Sequence, residues 1–453
     1  MQSKWFRVCF TAIIACLLVK PASASVAFFQ DGRIFDHYAT ESIEAAAGTN
    51  EQAILDIERQ AQSDPSREAR AYVFLAKALV ERMHFRPDSA NHFAVQCMNA
   101  AKGAANDTAF ALCGWLRMNL AASEGDYERM ALISGQIEAA NHRIMRIAGL
   151  TDRDVEGDPY FSFLRSPSSY ADVRSWGRPS VHTSLIGADN VPLTYDAVGR
   201  PRVKVRINGR TAEFMLDTGT GPTIVSRSLA AKLNLDISHY QVGGYDIQGR
   251  RDISSVAFIK SFSVGAFTVN NFSVLVEKLG KAPPILGMDF LRQVGRFTIR
   301  HNKLTLNPKV DLRCHTPAIL SSAIFPDYPL IGIETQSNFG RIYAGLDTGA
   351  YHESFASALW GMRKKFGFEH AGATTFHLQS IVSESGPGLT FYVPQVINLR
   401  VSGIEFKRTL YLYTNLSLDF DLMLNNKSTR DFSYYFDLVN GVACMRPIRG
   451  PAS

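Results

Sequence analysis

Two short segments of the chain carry an aspartate in a setting suited to acid–base chemistry. An Asp-Thr-Gly triplet stands at 217–219 and again at 347–349, each time between apolar runs. Glycine lets the backbone turn tightly after the acid, and apolar surroundings withhold water from a carboxyl group. Two carboxyl groups a few ångströms apart cannot both ionise, so they share one proton. The charged one can take a proton from water while the other protonates a carbonyl oxygen.

The two triplets belong to a larger repeated pattern. Strand-like runs precede the first triplet at 191–195 and 203–209, and the second at 328–333 and 340–343. The two aspartates are 347 − 217 = 130 residues apart, which is about one small β lobe. One such triplet is a common turn sequence, but two copies in one pattern indicate two related lobes. A pseudo-two-fold axis between the lobes would bring the two acids face to face.

This series of motifs resembles the retropepsin-like aspartic peptidases, in particular secreted bacterial members. The shared features are an apolar run ending in Asp-Thr-Gly, a β-hairpin flap, and an apolar-apolar-Gly element formed by Ile285, Leu286 and Gly287. The resemblance covers 190–310 well and 316–448 more loosely. It implies a mainly β, bilobal aspartic-protease-like fold made of two retropepsin-like lobes.

The resemblance also implies roles for the residues of the two turns. Asp217 and Asp347 would be the catalytic pair, working by the scheme known for aspartic proteases. Thr218 and Thr348 would brace the turns by hydrogen bonds across the axis. The complete supporting set is Thr218, Gly219, Thr220, Thr348, Gly349 and Ala350.

The second lobe departs from the family pattern behind its acid. Where the first lobe has Gly287, the second offers 422–424, Leu-Met-Leu, with no glycine. The run 351–354 also looks one residue longer than 221–223. An alternative is therefore a degenerate second lobe, with the first lobe active only as a homodimer.

A flap is expected between the acid of lobe 1 and its second apolar motif. Residues 240–246 and 254–259 alternate like two strands around a polar, glycine-containing tip, which is a hairpin signal. Such a tip could close on a bound peptide and exclude water. Lobe 2 has a counterpart at 375–393. The candidate substrate-binding residues are Tyr245, Ile247, Gln248 and Gly249, although either hairpin could equally be an inert sheet edge.

The beginning of the chain predicts export. Lys4 and Arg7 precede an apolar run at 8–19 that is short for a bilayer span, and small residues at 22–24 suit signal cleavage. An uncleaved anchor is the alternative. Removing 1–24 takes away three basic residues and no acids, so the formal net charge falls from +6 to +3. A net charge this small does not predict binding to nucleic acid. We expect a periplasmic or extracellular protein with no stable membrane span after cleavage.

Export would expose the four remaining cysteines to oxidising conditions. Cys97 and Cys113 are equidistant from Ala105, which lies in a break between two helical runs, so a helical hairpin would put them at one height. Cys314 and Cys444 bracket lobe 2 near its first and last strands. The predicted disulfides are Cys97–Cys113 and Cys314–Cys444, and four buried free thiols are the alternative.

The first part of the chain has the apolar period of helices. Tyr72, Leu75, Leu79 and Met83 repeat at helical offsets, as do apolar residues at 109–120. We predict an all-α helical bundle or repeat-like domain over 41–150, either a structural docking module or a regulator covering the cleft. A linker rich in Gly, Pro and Ser follows at 151–189, and its aromatic residues indicate that it packs on a domain surface.

Together these features predict an aspartic endopeptidase. Its substrate would be a peptide or protein, and a monomer is favoured. The competing class is a non-catalytic peptide-binding protein built on the same lobes. A hydrogen-bonding distance between the two carboxyl groups would favour the enzyme. No spacing of His, Cys or carboxylates resembles a metal site, and nothing indicates a cofactor.

Overall fold

The structure is a computed structural model that describes most of the chain from residue 28 to residue 448. The described ranges are 28–29, 31–197, 199–245, 251–279, 282–321, 323–325, 328–338, 340–350, 354–357, 377–383, 386–401, 403–413 and 418–448. The predicted signal peptide at 1–24 lies outside them. So do the predicted flap residues Ile247, Gln248 and Gly249, and, for Tyr245, only the backbone is described.

The first part of the chain is helical, as the apolar period predicts. The helices are α1 His37–Ala47, α2 Glu51–Ser63, α3 Ala69–Met83, α4 Pro87–Gly103, α5 Asp107–Ser123, α6 Tyr127–Ala148 and the short α7 Asp152–Gly157. The side chains of Asn50, Asn106 and Asp126 cap α2, α5 and α6, because each accepts a hydrogen bond from an unpaired first-turn amide. Helices α1 to α6 each pack on the next one along the chain. The result is a stacked series of helical hairpins.

The predicted linker is folded against the helices. It contains three short 3-10 helices, Pro159–Leu164, Pro167–Tyr170 and Arg174–Trp176. Phe161, Phe163 and Tyr170 are buried, and the ring of Phe163 lies 4.8 Å from that of Trp115 in α5. The aromatic residues therefore pack on the helical region, which explains why a segment of this composition is ordered.

Lobe 1 follows, with its last strands reaching residue 306. Its elements are β1 Ser180–Thr183, β2 Asp189–Pro192, β3 Thr194–Tyr195, β4 Pro201–Ile207, β5 Arg210–Leu216, β6 Ile224–Ser226, α8 Arg227–Lys232, β7 Asp236–Tyr245, β8 Arg251–Val264, β9 Phe267–Glu277, β10 Ile285–Leu286, α9 Met288–Val294, β11 Arg296–Arg300 and β12 Lys303–Leu306. Six strands close into a barrel in the order β4-β5-β10-β6-β9-β8, because β8 also pairs with β4. Val203, Val205 and Ile207 alternate into its core, as a period of two requires.

Lobe 2 repeats this topology. Its elements are β13 Ala318–Leu320, β14 Ile331–Ser337, β15 Gly340–Asp347, β16 Ser354–Ser357, β17 His377–Ser383, β18 Gly386–Val401, β19 Ile404–Tyr413, β20 Leu422–Asn425, α10 Ser428–Asp431, β21 Phe432–Asp437 and β22 Val442–Pro447. The second barrel closes in the order β14-β15-β20-β16-β19-β18, since β18 returns to β14. Each strand of this barrel has a counterpart in the first. The predicted mainly β, bilobal fold behind a helical region is confirmed.

A separate sheet joins the two lobes. Its five antiparallel strands run in the order β2-β12-β11-β21-β22, so that lobe 1 supplies three strands and lobe 2 supplies two. At the junction Phe297 stands opposite Phe436, and their rings stack 4.9 Å apart. Paired backbones and a shared apolar core therefore fix the lobes relative to each other.

The structure contains the two predicted disulfides. Cys97 in α4 is bonded to Cys113 in α5, with 5.9 Å between their Cα atoms. Cys314 is bonded to Cys444 in β22, with a Cα separation of 5.6 Å, and it ties the entry of lobe 2 to its last strand. In the described part of the chain, no helix combines the length and apolar character that crossing a membrane requires.

Candidate active site

The two Asp-Thr-Gly turns stand at equivalent ends of equivalent strands. Strand β5 leads into Asp217, and β15 ends at Asp347. Each strand pairs in parallel with the short strand that arrives later in its lobe, β10 or β20. The amide of Asp217 donates to the carbonyl of Leu286 at 3.0 Å, which fixes the first turn against the apolar-apolar-Gly element.

Hydrogen bonds across the lobe boundary lock the turns together. The hydroxyl of Thr218 donates to the carbonyl of Leu346, and that of Thr348 donates to the carbonyl of Leu216 at 2.7 Å. The amides of Thr218 and Thr348 donate to each other's hydroxyl oxygens at 3.1 and 3.2 Å. Both threonine side chains are buried, so neither group can turn to water instead. These are hydrogen bonds across the axis of the kind that the family resemblance implies.

The two glycines allow the acids to approach. A Cβ atom on Gly219 would lie 2.5 Å from Cγ of Asp347, and one on Gly349 would lie 2.2 Å from an oxygen of Asp217. Only a residue without a side chain fits at either position. Each carboxyl group therefore lies directly against the glycine of the opposite turn, and Asp217 and Asp347 face each other across the lobe boundary.

The surroundings of the carboxyl groups set their protonation. Burial raises the pKa of Asp217, because its charged form loses hydration. Hydrogen bonds from the Gly219 amide at 2.9 Å, from the Asp347 carboxyl group and from the Thr220 hydroxyl oppose that rise in pKa. Asp347 accepts a hydrogen bond from the Ala350 amide at 2.8 Å. Two groups in such contact titrate as a pair.

Gly287 has a steric role in lobe 1. A Cβ atom there would lie 2.2 Å from the carbonyl oxygen of Pro222, so the chain behind the first turn passes directly over it. In lobe 2 the parallel register puts Asn425 beside Asp347, at the position equivalent to Gly287. The sequence identified Ile285, Leu286 and Gly287 and the absence of a matching glycine, but not the residue that replaces it.

A polar pair that the sequence analysis missed, buried Thr223 and half-buried Asp289, supports the first turn. The carboxylate of Asp289 accepts hydrogen bonds from the amide and the hydroxyl of Thr223, at 2.7 and 2.6 Å. The Thr223 hydroxyl in turn accepts from the Gly287 amide at 3.2 Å. Burial raises the pKa of Asp289 to about 6. One sequence signal could have identified Asp289: it directly follows the apolar-apolar-Gly-Met run. A charged side chain facing solvent is not expected at that position.

The flap strands are present in lobe 1. Strands β7 and β8 form an antiparallel hairpin whose last described pair is Tyr245 opposite Arg251. The tip lies outside the described residues. In lobe 2, β17 and β18 form the equivalent hairpin, from His377 opposite Tyr392 to Ser383 opposite Gly386.

The helical region reaches the neighbourhood of the first turn. A Cβ atom on Gly221 would lie 2.1 Å from the carbonyl oxygen of Tyr328, so this segment of lobe 2 lies against lobe 1 beside the acid. The hydroxyls of Tyr328 and Tyr127, at the start of α6, are 3.3 Å apart, and Tyr127 also donates to Ser273 at 3.2 Å. One continuous apolar cluster contains helical residues together with Met215, Ile224 and Ile285 of lobe 1 and Phe355 and Met423 of lobe 2.

Comparison with known proteins identifies the first barrel. A family model described as "gag-polyprotein putative aspartyl protease" matches residues 203–293, from β4 to α9. No curated protein matches the chain. Among the described residues, no group of three or more His, Cys, Asp or Glu side chains is arranged to hold a metal ion. Residues 203–293, which carry Asp217 and the Ile285-Leu286-Gly287 element, therefore match a family model of retropepsin-like aspartyl proteases.

Proposed function

We propose that the protein is an aspartic endopeptidase in which Asp217 and Asp347 form the catalytic pair. The observation that carries this proposal is the close approach of the two turns, in which the carboxyl group of each acid lies against the glycine of the other turn. The hydrogen bonds of Thr218 and Thr348 support it further, because they hold both turns in one geometry. The closeness of the two turns supports an enzyme, whereas a wide separation of the acids would favour a purely peptide-binding protein.

The reaction follows from one proton shared by two acids. The charged carboxylate removes a proton from a water molecule, whose oxygen bonds to the scissile carbonyl carbon. The protonated carboxyl group donates to the carbonyl oxygen, which gives a tetrahedral diol. The C–N bond then breaks, the nitrogen leaves with the proton that the first carboxylate had taken, and the diol returns a proton to the second. The pair is thereby restored.

The surroundings favour particular roles for the two acids. The Thr220 hydroxyl beside Asp217 lowers the pKa of that carboxyl group and so favours its charged form. Ala350, at the equivalent position in lobe 2, has no hydroxyl. In our proposal Asp217 therefore holds the charge more readily, and Asp347 carries the shared proton.

The proposed division of the chain is a signal peptide at 1–24, a helical domain at 41–150, a linker at 151–189 and the two lobes at 190–310 and 316–448. Strand β1, within the proposed linker, pairs with β9 and so extends the sheet of lobe 1. Two disulfides suit an exported protein. We propose a periplasmic or extracellular monomer, because one chain supplies both acids.

The proposal is tested by incubating the purified protein with a peptide library across acidic and neutral pH. We expect internal peptide bonds to be cleaved, and we expect an inhibitor with a hydroxyl in place of the scissile carbonyl to stop the cleavage. Peptides that bind without being cleaved at any pH would instead establish the non-catalytic alternative. Activity that depends on the square of protein concentration would establish the homodimer.

A further inference from the structure

A segment of the linker runs along the outer strand of the lobe 1 flap. We call residues 158–172 the brace. The hydroxyl of Tyr160 donates to the carbonyl of Gly244, and the guanidinium group of Arg165 donates to the carbonyl of Gln241 at 3.1 Å. Among the described strands, β7 is the last one of its sheet and pairs with β8 alone, so these carbonyls would otherwise have no described strand beside them.

Side chains of the brace and of strand β7 also pack against each other. The Tyr240 ring is 4 % exposed; it lies 5.2 Å from the ring of Tyr170 and 5.8 Å below the guanidinium carbon of Arg165. A Cβ atom on Gly243 would lie 2.8 Å from the ring of Tyr160, so the flap backbone passes close to the brace. The β7–β8 register is irregular between Ile237 and Gln241, within the stretch that the brace covers.

The other side of the brace is attached to helix α6. The hydroxyl of Ser134 donates to the carbonyl of Arg165 at 2.7 Å, and the side-chain amide of Asn141 donates to the carbonyl of Phe163 at 3.2 Å. Arg165 is only 5 % exposed, and it also donates to the carbonyls of Val155 and Glu156 at 3.4 Å. A buried guanidinium group loses much stability if its acceptors move away. The contact therefore favours one fixed arrangement of helix, brace and flap strand.

We infer that Arg165 is a positioning residue that holds flap strand β7 against the helical region, and that this region is a permanent part of the substrate site. This inference rests on the proposed function, because it takes β7 to be the strand of a substrate-covering flap. A removable inhibitor would be expected to meet the lobes through a polar, separable surface. Here residues of the helices, the brace and β7 share one apolar cluster.

The experiment compares Arg165→Met with Arg165→Lys in the full chain. Methionine keeps the apolar stem without donors, and lysine keeps the charge with a single nitrogen. Hydrogen–deuterium exchange should show the amides of 239–245 exchanging at least about tenfold faster in Arg165→Met, with a smaller change in Arg165→Lys. Strands β4 and β5 should be unchanged. With a cleaved peptide, KM should rise several-fold and kcat should change less.

Arg143→Met is the matched control, because Arg143 forms an exposed ion pair with Asp107 inside the helical region. It should leave exchange and kinetics as in the parent. Unchanged exchange in 239–245 of Arg165→Met, or equal acceleration in β4 and β5, would overturn the inference. The hydrogen–deuterium exchange measurement needs no substrate, so it tests the role of Arg165 even if the parent protein cleaves no peptide. Absence of cleavage by the parent protein would count against the proposed function alone.

Discussion

Lobe 1 holds the chain behind its acid with the hydrogen-bonded pair Thr223 and Asp289, whereas the described residues of lobe 2 contain no such pair at the equivalent place. The strand registers define the equivalence, since Ile285 pairs with Ile224 in lobe 1 and Met423 pairs with Phe355 in lobe 2. Thr223 and Asp289 of lobe 1 thus correspond to Ser354 and Lys427. In the described part of the chain, the buried Ser354 hydroxyl has no hydrogen-bond partner.

The turns also differ in length. From Met215 to Ile224 is 224 − 215 = 9 positions, and from Gly345 to Phe355 is 355 − 345 = 10 positions. The extra residue that the sequence suggested in lobe 2 is therefore present. Asn425 replaces Gly287 beside this longer turn, and its buried Nδ2 atom has no partner among the described residues.

This difference teaches which constraints the paired Asp-Thr-Gly turns impose. Both lobes keep the acid, the threonine and the first glycine, because those residues meet at the axis and any change there would separate the carboxyl groups. Behind the turn of lobe 1, Thr223 and Asp289 are hydrogen-bonded to each other. Behind the turn of lobe 2, the Ser354 hydroxyl and the Asn425 Nδ2 atom have no hydrogen-bond partner among the described residues. The barrel and the joining sheet hold lobe 2 in place despite that cost.

The largest effect is expected from removing either acid. Asp217→Asn and Asp347→Asn should each lower kcat by about 10³-fold or more, since a carboxamide can neither accept nor share the proton. Steady-state kinetics on a cleaved peptide measures the loss, with the surface variant Asp107→Asn as control. Full activity in Asp347→Asn would show that lobe 2 contributes no acid and that lobe 1 works through a dimer.

Asp217→Asn should also keep its fold. Because burial raises the pKa of Asp217, its contribution to stability is greatest below its ordinary pKa and falls as pH rises through the raised value. The asparagine variant lacks that fall, so its Tm near neutral pH should equal or exceed the parent's. A large loss of Tm would mean that the carboxyl group is needed for folding.

The next effect separates the supporting layers of the two lobes. Thr223→Val removes a buried hydroxyl that donates to the half-buried Asp289 and accepts from Gly287, and it should cost about 1–3 kcal/mol of unfolding free energy. Ser354→Ala removes a buried hydroxyl without a partner and should be neutral or slightly stabilising. Urea denaturation of both variants tests the contrast. Equal losses would show that Ser354 supports its turn as Thr223 does.

A smaller effect is expected where the helical region meets lobe 2. Glu51 in α2 accepts hydrogen bonds from Tyr343 at 2.5 Å and Arg341 at 3.0 Å, and it lies 2.7 Å from His84. The hydrogen bond with His84, followed by that of Tyr343 and by the charges of His84 and Arg341, outweighs burial and lowers the pKa of Glu51 from 4.5 to about 2. Its contribution is therefore complete above about pH 4.5 and is lost as pH falls through about 2.

Glu51→Gln should accordingly lower Tm by a few degrees at neutral pH, and the difference from the parent should vanish near pH 2. Glu44→Gln, at an exposed position of α1, is the control. Thermal unfolding followed by circular dichroism over pH 2–7 measures both. A difference independent of pH would mean that the Glu51 contacts do not depend on its charge.

The smallest effect concerns the asymmetry of the two turns. Thr220→Ala removes a hydrogen bond that favours the charged form of Asp217, so the pair becomes harder to ionise. The acid limb of the pH–rate profile should move to higher pH, with little change in Tm. Ala350→Thr, which adds a hydroxyl beside Asp347, should move that limb the other way. An acid limb unmoved in Thr220→Ala would mean that the Thr220 hydroxyl does not tune the pair.

The sequence by itself determined the features that depend on neighbouring residues. A tight turn after an apolar strand needs glycine next to the acid, so both Asp-Thr-Gly turns were visible before any contact was known. The alternation in 203–207 predicted a strand for the same local reason, and the helical period predicted the first domain. The symmetry of Cys97 and Cys113 about a helix break gave their pairing from chain geometry alone.

Tertiary structure alone decided the contacts between segments that are distant along the chain. Arg165 meets Gln241 across 76 residues, and Glu51 meets Arg341 across 290. Neither residue has a local pattern that distinguishes it from a solvated charge. Their roles arise from burial, which appears only when the helices pack on the barrels. For the same reason Asn425 could be recognised as the counterpart of Gly287 only from strand register, because the spacing from the acid differs between the lobes, 287 − 217 = 70 residues against 425 − 347 = 78.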